Sequence, residues 1–167
     1  MIKKTIFLFF ITLFLNTNAF SQEVKKIGKY KDWEAMVVMD ADGKVCFAQS
    51  LPILQAPKTN KRDAKLFVAF RPNDNIKNEV SVTPGYEFNK NNSVTAASGK
   101  NKFKFDIKEQ GFAWIADNKI ELKMIKQMRK GSRIMITGYN QQGSQTIDHY
   151  SLLGFTKAYN ASKKACS

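Results

Sequence analysis

Apolar and polar residues alternate along much of the chain. In the clearest case, residues 102–107, Phe103, Phe105 and Ile107 alternate with charged residues. A period of two predicts a strand with one face on a core and the other in water. Bounded by Gly, Pro and Asn turn signals, the same alternation predicts about nine strands, at 32–39, 44–51, 66–70, 80–82, 94–97, 102–107, 111–115, 133–139 and 144–152.

The first predicted strand carries one of the two tryptophans, Trp33. A large aromatic side chain on the apolar face of a strand favours a core position over an exposed platform for a ligand. The residues expected to face inward with it are Ala35, Val37 and Met39.

Residues 118–130 have helical spacing instead. Asp117 is a suitable N-cap, and Gly131 marks the end of the helix. The predicted apolar stripe consists of Leu122, Ile125 and Met128, widened by Met124.

The end of the chain predicts a second short helix. Its boundary is Gly154 or Ser151. Residues spaced four, three and four apart share one face, and here they are Phe155, Tyr159, Ser162 and Cys166.

The sequence of elements predicts the fold class. Strands separated by short turns, with no visible linker or internal repeat, favour an antiparallel β-sandwich over a βαβ fold. We therefore expect an all-β domain with two short helices, one of them at the C-terminus.

Residues 1–21 have the features of an export signal. Lys3 and Lys4 precede an apolar run at 5–15, and small residues follow at Ala19 and Ser21. Cleavage is expected after Ser21, with Ala19 as the alternative. The run is shorter than the roughly 20 residues that span a bilayer, which favours export over a transmembrane anchor. Residues 22–167 are then expected to form a single domain.

The chain contains two cysteines, Cys46 and Cys166. In an exported protein such a pair predicts a disulfide rather than a metal site or a catalytic thiol. The chain also contains a single histidine, so the potential ligands are too few to predict a metal site, and no motif predicts a cofactor.

The chain is strongly basic, with 27 Lys and Arg against 14 Asp and Glu and a formal net charge of +13. Export makes anionic envelope material, such as lipopolysaccharide or a phospholipid surface, a better partner than nucleic acid. Another envelope protein is the other candidate partner. The alternative is a solvated surface that only keeps the domain soluble. Candidate anion-binding residues on the first helix are Lys119, Lys123, Lys126 and Arg129. A second candidate is the loop 52–63 and its flank, with Lys58, Lys61, Arg62 and Lys65. Lys102 and Lys104 are interpreted as a solvated strand face.

No pattern of residues predicts catalysis. Asp148 and His149 are adjacent on a predicted strand, so they point to opposite faces and cannot form a local relay. A non-enzymatic binding protein is therefore the leading hypothesis. A periplasmic hydrolase with a site built from scattered residues is the alternative.

Several motifs resemble the invasion-associated locus B family of bacterial envelope proteins. The C-terminal motif is the most specific of them. The motifs are Asp32-Trp33, Lys44-Val-Cys-Phe-Ala48, Gly85-Tyr-Glu-Phe88, Phe112-Ala-Trp114, Lys130-Gly131, Asp148-x-Tyr-Ser-Leu-x-Gly-Phe155-x-x-Ala158 and Ala165-Cys166.

The resemblance implies an immunoglobulin-like β-sandwich in the periplasm or envelope, and no catalytic residues. Many members of the family have another cysteine in the first strand, where this chain has Met36 and Val38. A second family disulfide is therefore not expected. The family name adds host-cell invasion as a third functional hypothesis.

Overall fold

The computed structural model describes residues 23–40, 43–59 and 61–167. The predicted export signal lies outside these residues. This part of the chain contains two helices, α1 (Asn118–Lys130) and α2 (Phe155–Ala165). It contains twelve strands: β1 (Glu23–Tyr30), β2 (Trp33–Asp40), β3 (Gly43–Ser50), β4 (Leu54–Ala56), β5 (Lys65–Arg71), β6 (Ile76–Thr83), β7 (Val94–Ser98), β8 (Asn101–Phe105), β9 (Ile107–Glu109), β10 (Phe112–Trp114), β11 (Arg133–Tyr139) and β12 (Gln145–Ser151).

The strands form two antiparallel sheets. The first has seven strands in the order β1-β2-β3-β5-β6-β10-β9, and the second has five in the order β4-β12-β11-β7-β8. The predicted fold class, an all-β, immunoglobulin-like antiparallel sandwich with two helices, is confirmed.

The core lies between the sheets and is closed by the helices. Trp33 is fully buried, as its place on an apolar strand face predicts. Its indole Nε1 donates to the carbonyl oxygen of Ser151 at 2.8 Å, which joins β2 to the other sheet. Its ring meets that of Phe155 edge-on at 4.8 Å. Other fully buried large side chains are Leu66, Val68, Val80, Val82, Val94, Phe105, Met124, Met128, Ile134 and Tyr150.

Helix α1 has the predicted bounds, but its buried face includes a different residue in the first turn. The Asp117 side chain accepts a hydrogen bond from the amide of Lys119 at 2.7 Å and caps the helix. The predicted stripe is wrong at Leu122, which is 48% exposed, whereas Glu121 is 6% exposed. The carboxylate of Glu121 accepts a hydrogen bond from the amide of Val80 at 2.8 Å. A carboxylate can take a core position because β6 supplies this donor.

Helix α2 begins where the sequence predicts, after Gly154. Gly154 has a φ of 91°, and a Cβ placed there would lie 1.8 Å from the carbonyl oxygen of Tyr30. Only glycine therefore permits this close approach to the end of β1. Cys166, just after the helix, is joined by a disulfide to Cys46 of β3.

Two strands were not predicted. β1 pairs only with β2 at the edge of its sheet, and its side chains at Val24 and Ile27 are exposed. Among the described side chains of β1, only Tyr30, at the end of the strand, packs against the core, so the strand lacks a sustained alternation, and lysines are typical of such edges. The short β4 lies in the segment predicted as a loop and pairs with β12.

Two predicted strands differ in detail. The segment 102–107 is not one strand: β8 ends at Phe105, and Ile107 begins β9 in the other sheet, where it is exposed. The chain therefore crosses between the sheets at Asp106, which alternation cannot reveal. In β2, Met39 is exposed and Val37 only half-buried, whereas Val38 is 7% exposed, so the predicted inward face does not continue to the end of the strand.

Candidate functional site

A basic groove lies between β8 and α1. It has a volume of ≈ 630 Å³ and contains five lysines, Lys102 and Lys104 from β8 and Lys123, Lys126 and Lys130 from α1. The rest of its wall is formed by Asn101, Phe103, Asp106, Ile120 and Gln127.

Both walls follow from local patterns in the sequence. On β8, Phe105 is buried and the alternate residues Lys102 and Lys104 are exposed, as period-two alternation requires. On α1, the three groove lysines are spaced three and four residues apart and so lie on one face. Helix α1 packs against β6 of one sheet and β8 of the other, which brings the two lysine rows together.

The floor of the groove is apolar. Phe103 and Ile120 are half-buried and pack against the core. Gln127 at the groove wall is held by its amide nitrogen, which donates to the carbonyl oxygen of Ser98 at 3.4 Å. The lysines are therefore carried on a packed strand and a packed helix rather than on loops.

The positive charge of the groove is largely uncompensated. Among the described residues, the ion pairs within 4.0 Å include one groove lysine, Lys104, whose Nζ lies 4.0 Å from the carboxylate of Asp106. Both side chains of this pair are exposed, so the pair is weak. Clustered like charges of this kind attract polyanions.

The groove contains only part of the predicted anion-binding set. Lys123 and Lys126 line it. Arg129 instead faces α2, where its guanidinium lies 4.5 Å from the centre of the Tyr159 ring and Nη2 donates to Asn160 at 3.3 Å. Lys119 is exposed in the first turn and does not line the groove.

Sequence reasoning missed the lysines on β8. The alternation showed that Lys102 and Lys104 face outward, but nothing local indicated that α1 would lie beside them. Their position at the edge of the five-stranded sheet depends on the order of the strands. The outward-facing lysines of β8 were the one signal of this site that the sequence offered.

Comparison with known proteins gives the family. The model of the family described as invasion associated locus B (IalB) protein matches residues 33–163, which is more than half of the chain. The chain belongs to the invasion-associated locus B family. No curated protein matches it.

A solved structure supports the fold of this IalB chain. It resembles the crystal structure of invasion associated protein b from Bartonella henselae, with a TM-score of 0.57 and 16% identity. The match covers 83% of this chain and 96% of the Bartonella chain. At this identity the likeness concerns the fold. All five groove lysines lie within the residues that match the IalB family model.

The second predicted anion site in this IalB chain has a structural role at its centre. Arg62 donates from Nη1 to Asp148 Oδ2 at 2.9 Å and from Nη2 to Asp148 Oδ1 at 2.6 Å. The two side chains are only 9% and 4% exposed. Arg62 also donates to the carbonyl oxygen of Pro84 at 3.2 Å. Lys65 pairs with Asp63 at 2.6 Å, which leaves Lys58 and Lys61 as exposed cations of this loop.

The same contact engages Asp148, the carboxylate that precedes the histidine in the sequence. Both oxygens of Asp148 accept hydrogen bonds from Arg62. His149 is the next residue of β12 and lies opposite Leu54 and Met135 on its two neighbouring strands. Asp148 and His149 therefore form no local relay, as their adjacency on a strand predicts.

Within the part of the chain that the structure describes, no three His, Cys, Asp or Glu side chains form a group that could hold a metal ion. Among the same residues, no helix is long and apolar enough to cross a membrane.

Proposed function

We propose that this IalB family member is an exported, non-enzymatic binding protein of the bacterial envelope, and that its basic groove holds a phosphate-bearing envelope component. The observation that carries the proposal is the set of five lysines on two facing walls, with one aspartate among the groove residues. The export signal in residues 1–21 supports an envelope location.

The groove fits a ligand with several phosphates. Lysine is a flexible point charge that contacts phosphate without the fixed fork geometry of arginine. Lysines on both walls can contact successive phosphates of one molecule, while the apolar floor formed by Phe103 and Ile120 faces its less polar parts. Lipopolysaccharide and phospholipid headgroups share this chemistry.

The test is binding of the protein without residues 1–21 to lipopolysaccharide micelles and, separately, to phosphatidylglycerol vesicles. We expect binding that weakens steeply with added salt, because exposed charges are screened within about 8 Å at physiological ionic strength. The two arms show which source of phosphate the groove prefers. Binding that does not change between low and high salt would refute the proposal.

A matched pair of variants tests the groove itself. Replacing Lys102, Lys104 and Lys126 by glutamine should weaken binding about 100-fold, if each lysine contributes about 1 kcal/mol at an anionic surface. The control replaces three exposed lysines outside the groove, Lys58, Lys77 and Lys157. It removes the same charge, so an equal loss in both variants would show that only net charge matters.

Two further measurements test the rest of the proposal. After expression in a bacterium, the protein should be recovered outside the cytoplasm with Gln22 or Phe20 at its N-terminus. A broad hydrolase screen should show no activity, and an activity abolished by one substitution would favour the alternative of a hydrolase. Invasion is in the name of the Bartonella protein and is no part of this proposal.

A further inference from the structure

Three exposed aliphatic side chains lie at one end of the sandwich, on loops that hydrogen bonds hold together. They are Leu51, Ile53 and Leu153, which we call the apolar tip, and they are 59%, 51% and 60% exposed. Leu51 and Ile53 follow β3, and Leu153 lies between β12 and α2.

Asp32, in the turn between β1 and β2, connects these loops. Its amide donates to the carbonyl oxygen of Leu153 at 3.2 Å, and its own carbonyl oxygen accepts from the hydroxyl of Ser50 at 2.8 Å. Leu51 and Leu153 therefore flank the same turn. Ile53 is fixed nearby, because its amide donates to the carbonyl oxygen of His149 at 2.8 Å.

The backbone displays these side chains in a fixed arrangement. The amide of Leu153 donates to the hydroxyl of Ser151 at 3.2 Å, and Gly154 packs tightly against the carbonyl of Tyr30. Singly exposed aliphatic side chains are common on protein surfaces, but several at one place mark an interaction site.

Charged residues of both signs surround the apolar tip, and the basic ones are in excess once Lys26 and Arg133 beside the depression are included. Lys29, Lys31 and Lys65 line a depression of ≈ 420 Å³ together with Leu51 and Ile53. Its acidic residues are Asp32, Glu34 and Asp63, of which Glu34 and Asp63 pair with Lys26 and Lys65. On the other side, exposed Arg133 pairs in register with Ser151 near Leu153.

We infer that the apolar tip inserts into the surface of an anionic phospholipid bilayer. Protein interfaces are centred on buried aromatic and Arg side chains and require a large area. The tip has only aliphatic side chains, carried on exposed turns, and cations outnumber carboxylates around them. This combination matches shallow insertion into lipid, where apolar side chains enter the boundary of the acyl chains and cations meet anionic headgroups. The tip is a separate surface from the groove, and the inference holds or fails independently of it.

The experiment measures co-sedimentation of the protein without residues 1–21 with vesicles of phosphatidylethanolamine and phosphatidylglycerol in equal parts. Leu51→Asn with Leu153→Asn should weaken vesicle binding at least about tenfold, because a polar amide replaces each of two apolar side chains that would leave water on insertion. The control is Val24→Asn with Met39→Asn. Val24 and Met39 are 56% and 51% exposed and lie at the ends of β1 and β2 that are farthest from the turn at Asp32. The control should bind as the parent protein does.

A second measurement does not depend on affinity. In a Leu153→Trp variant, the added indole should show a blue-shifted emission when vesicles are added and should be quenched by brominated acyl chains. The parent protein, with fully buried Trp33 and half-buried Trp114, gives the background to be subtracted. A parent protein that binds no vesicles would overturn the inference. So would equal losses in the tip and control variants, or loss only in the groove variant. In that last case the groove would bind the headgroups and the proposed function would stand.

Discussion

Replacing Cys166 by serine opens the disulfide to Cys46 but leaves the apolar face of α2 in place. The bond closes a loop with a sequence separation of 120 residues. In the chain-entropy account, the bond restricts the unfolded chain, and for a loop of this length the restriction stabilises the folded state by about 5 kcal/mol at room temperature. Removing native disulfides typically costs about 2–5 kcal/mol, so we expect a loss of about 3–5 kcal/mol.

The structure indicates where the loss acts. Phe155, Ala158, Tyr159 and Ser162 of α2 are buried, and the ring of Phe155 contacts Trp33. This packing does not require the disulfide, so the folded state should persist with a loosened last turn of α2. Most of the lost stability should come from a less restricted unfolded chain.

The assay is urea denaturation followed by the fluorescence of buried Trp33, with hydrogen exchange of the α2 amides as the local readout. Cys166→Ser should match the parent protein measured under reducing conditions. The variant that lacks both cysteines should be within about 0.5 kcal/mol of it, because one bond is lost in each case. A loss below about 1 kcal/mol would refute the entropic reasoning, and two free thiols in protein isolated from the periplasm would refute the bond itself.

Three more predictions concern buried contacts. Arg62→Met should lower the free energy of unfolding by about 3–5 kcal/mol, because it leaves Asp148 buried without its partner. The double variant Arg62→Met with Asp148→Leu should recover much of this loss in urea denaturation. Burial raises the pKa of Glu121 from 4.5 to about 7, with the hydrogen bond from the backbone opposing the rise. Because the folded state then holds this proton more tightly, the free energy of unfolding should fall by about 3 kcal/mol as the pH rises from about 4.5 to about 7 and then level off. Glu121→Gln should remove this pH dependence in urea titrations at several pH values. Gly154→Ala should lower the melting temperature far more than Gly143→Ala, since both glycines have a positive φ but nothing lies within 4 Å of a Cβ at Gly143.

Each of these has an outcome that contradicts it. Equal stability of the single and double variants at Arg62 would show that the charge of Asp148 is solvated. A slope in pH that survives in Glu121→Gln would assign it to another group. Equal melting temperatures for the two glycine variants would mean that the turn before α2 can shift away from Tyr30.

The sequence by itself determined the elements whose signals are local. Asp117 and Gly131 mark the bounds of α1 because a cap and a stop act on the residues beside them. Period-two alternation located most strands, since a strand between a core and water must alternate. The pairing of Cys46 with Cys166 required no geometry, because a chain with two cysteines has one possible intramolecular disulfide.

The tertiary structure alone decided which surfaces meet. Glu121 takes the buried place expected for Leu122, because β6 presents the amide of Val80 to it, and no helical period contains that information. The edge strand β1 packs against the core only near its end, at Tyr30, so it has too short an inward face to give a clear alternation. Arg62 appears as a loop cation until Asp148, 86 residues away, is beside it.

The groove and the apolar tip are likewise surfaces that only the tertiary structure assembles. The lysines of β8 and α1 are each visible in the sequence as a solvated row, and only the order of strands in the sheet brings them together. Leu51 ends one predicted strand and Leu153 follows another, and nothing in the sequence brings the two together. Their exposure, and the hydrogen bonds of Asp32 that hold the two turns beside each other, appear only in the folded chain.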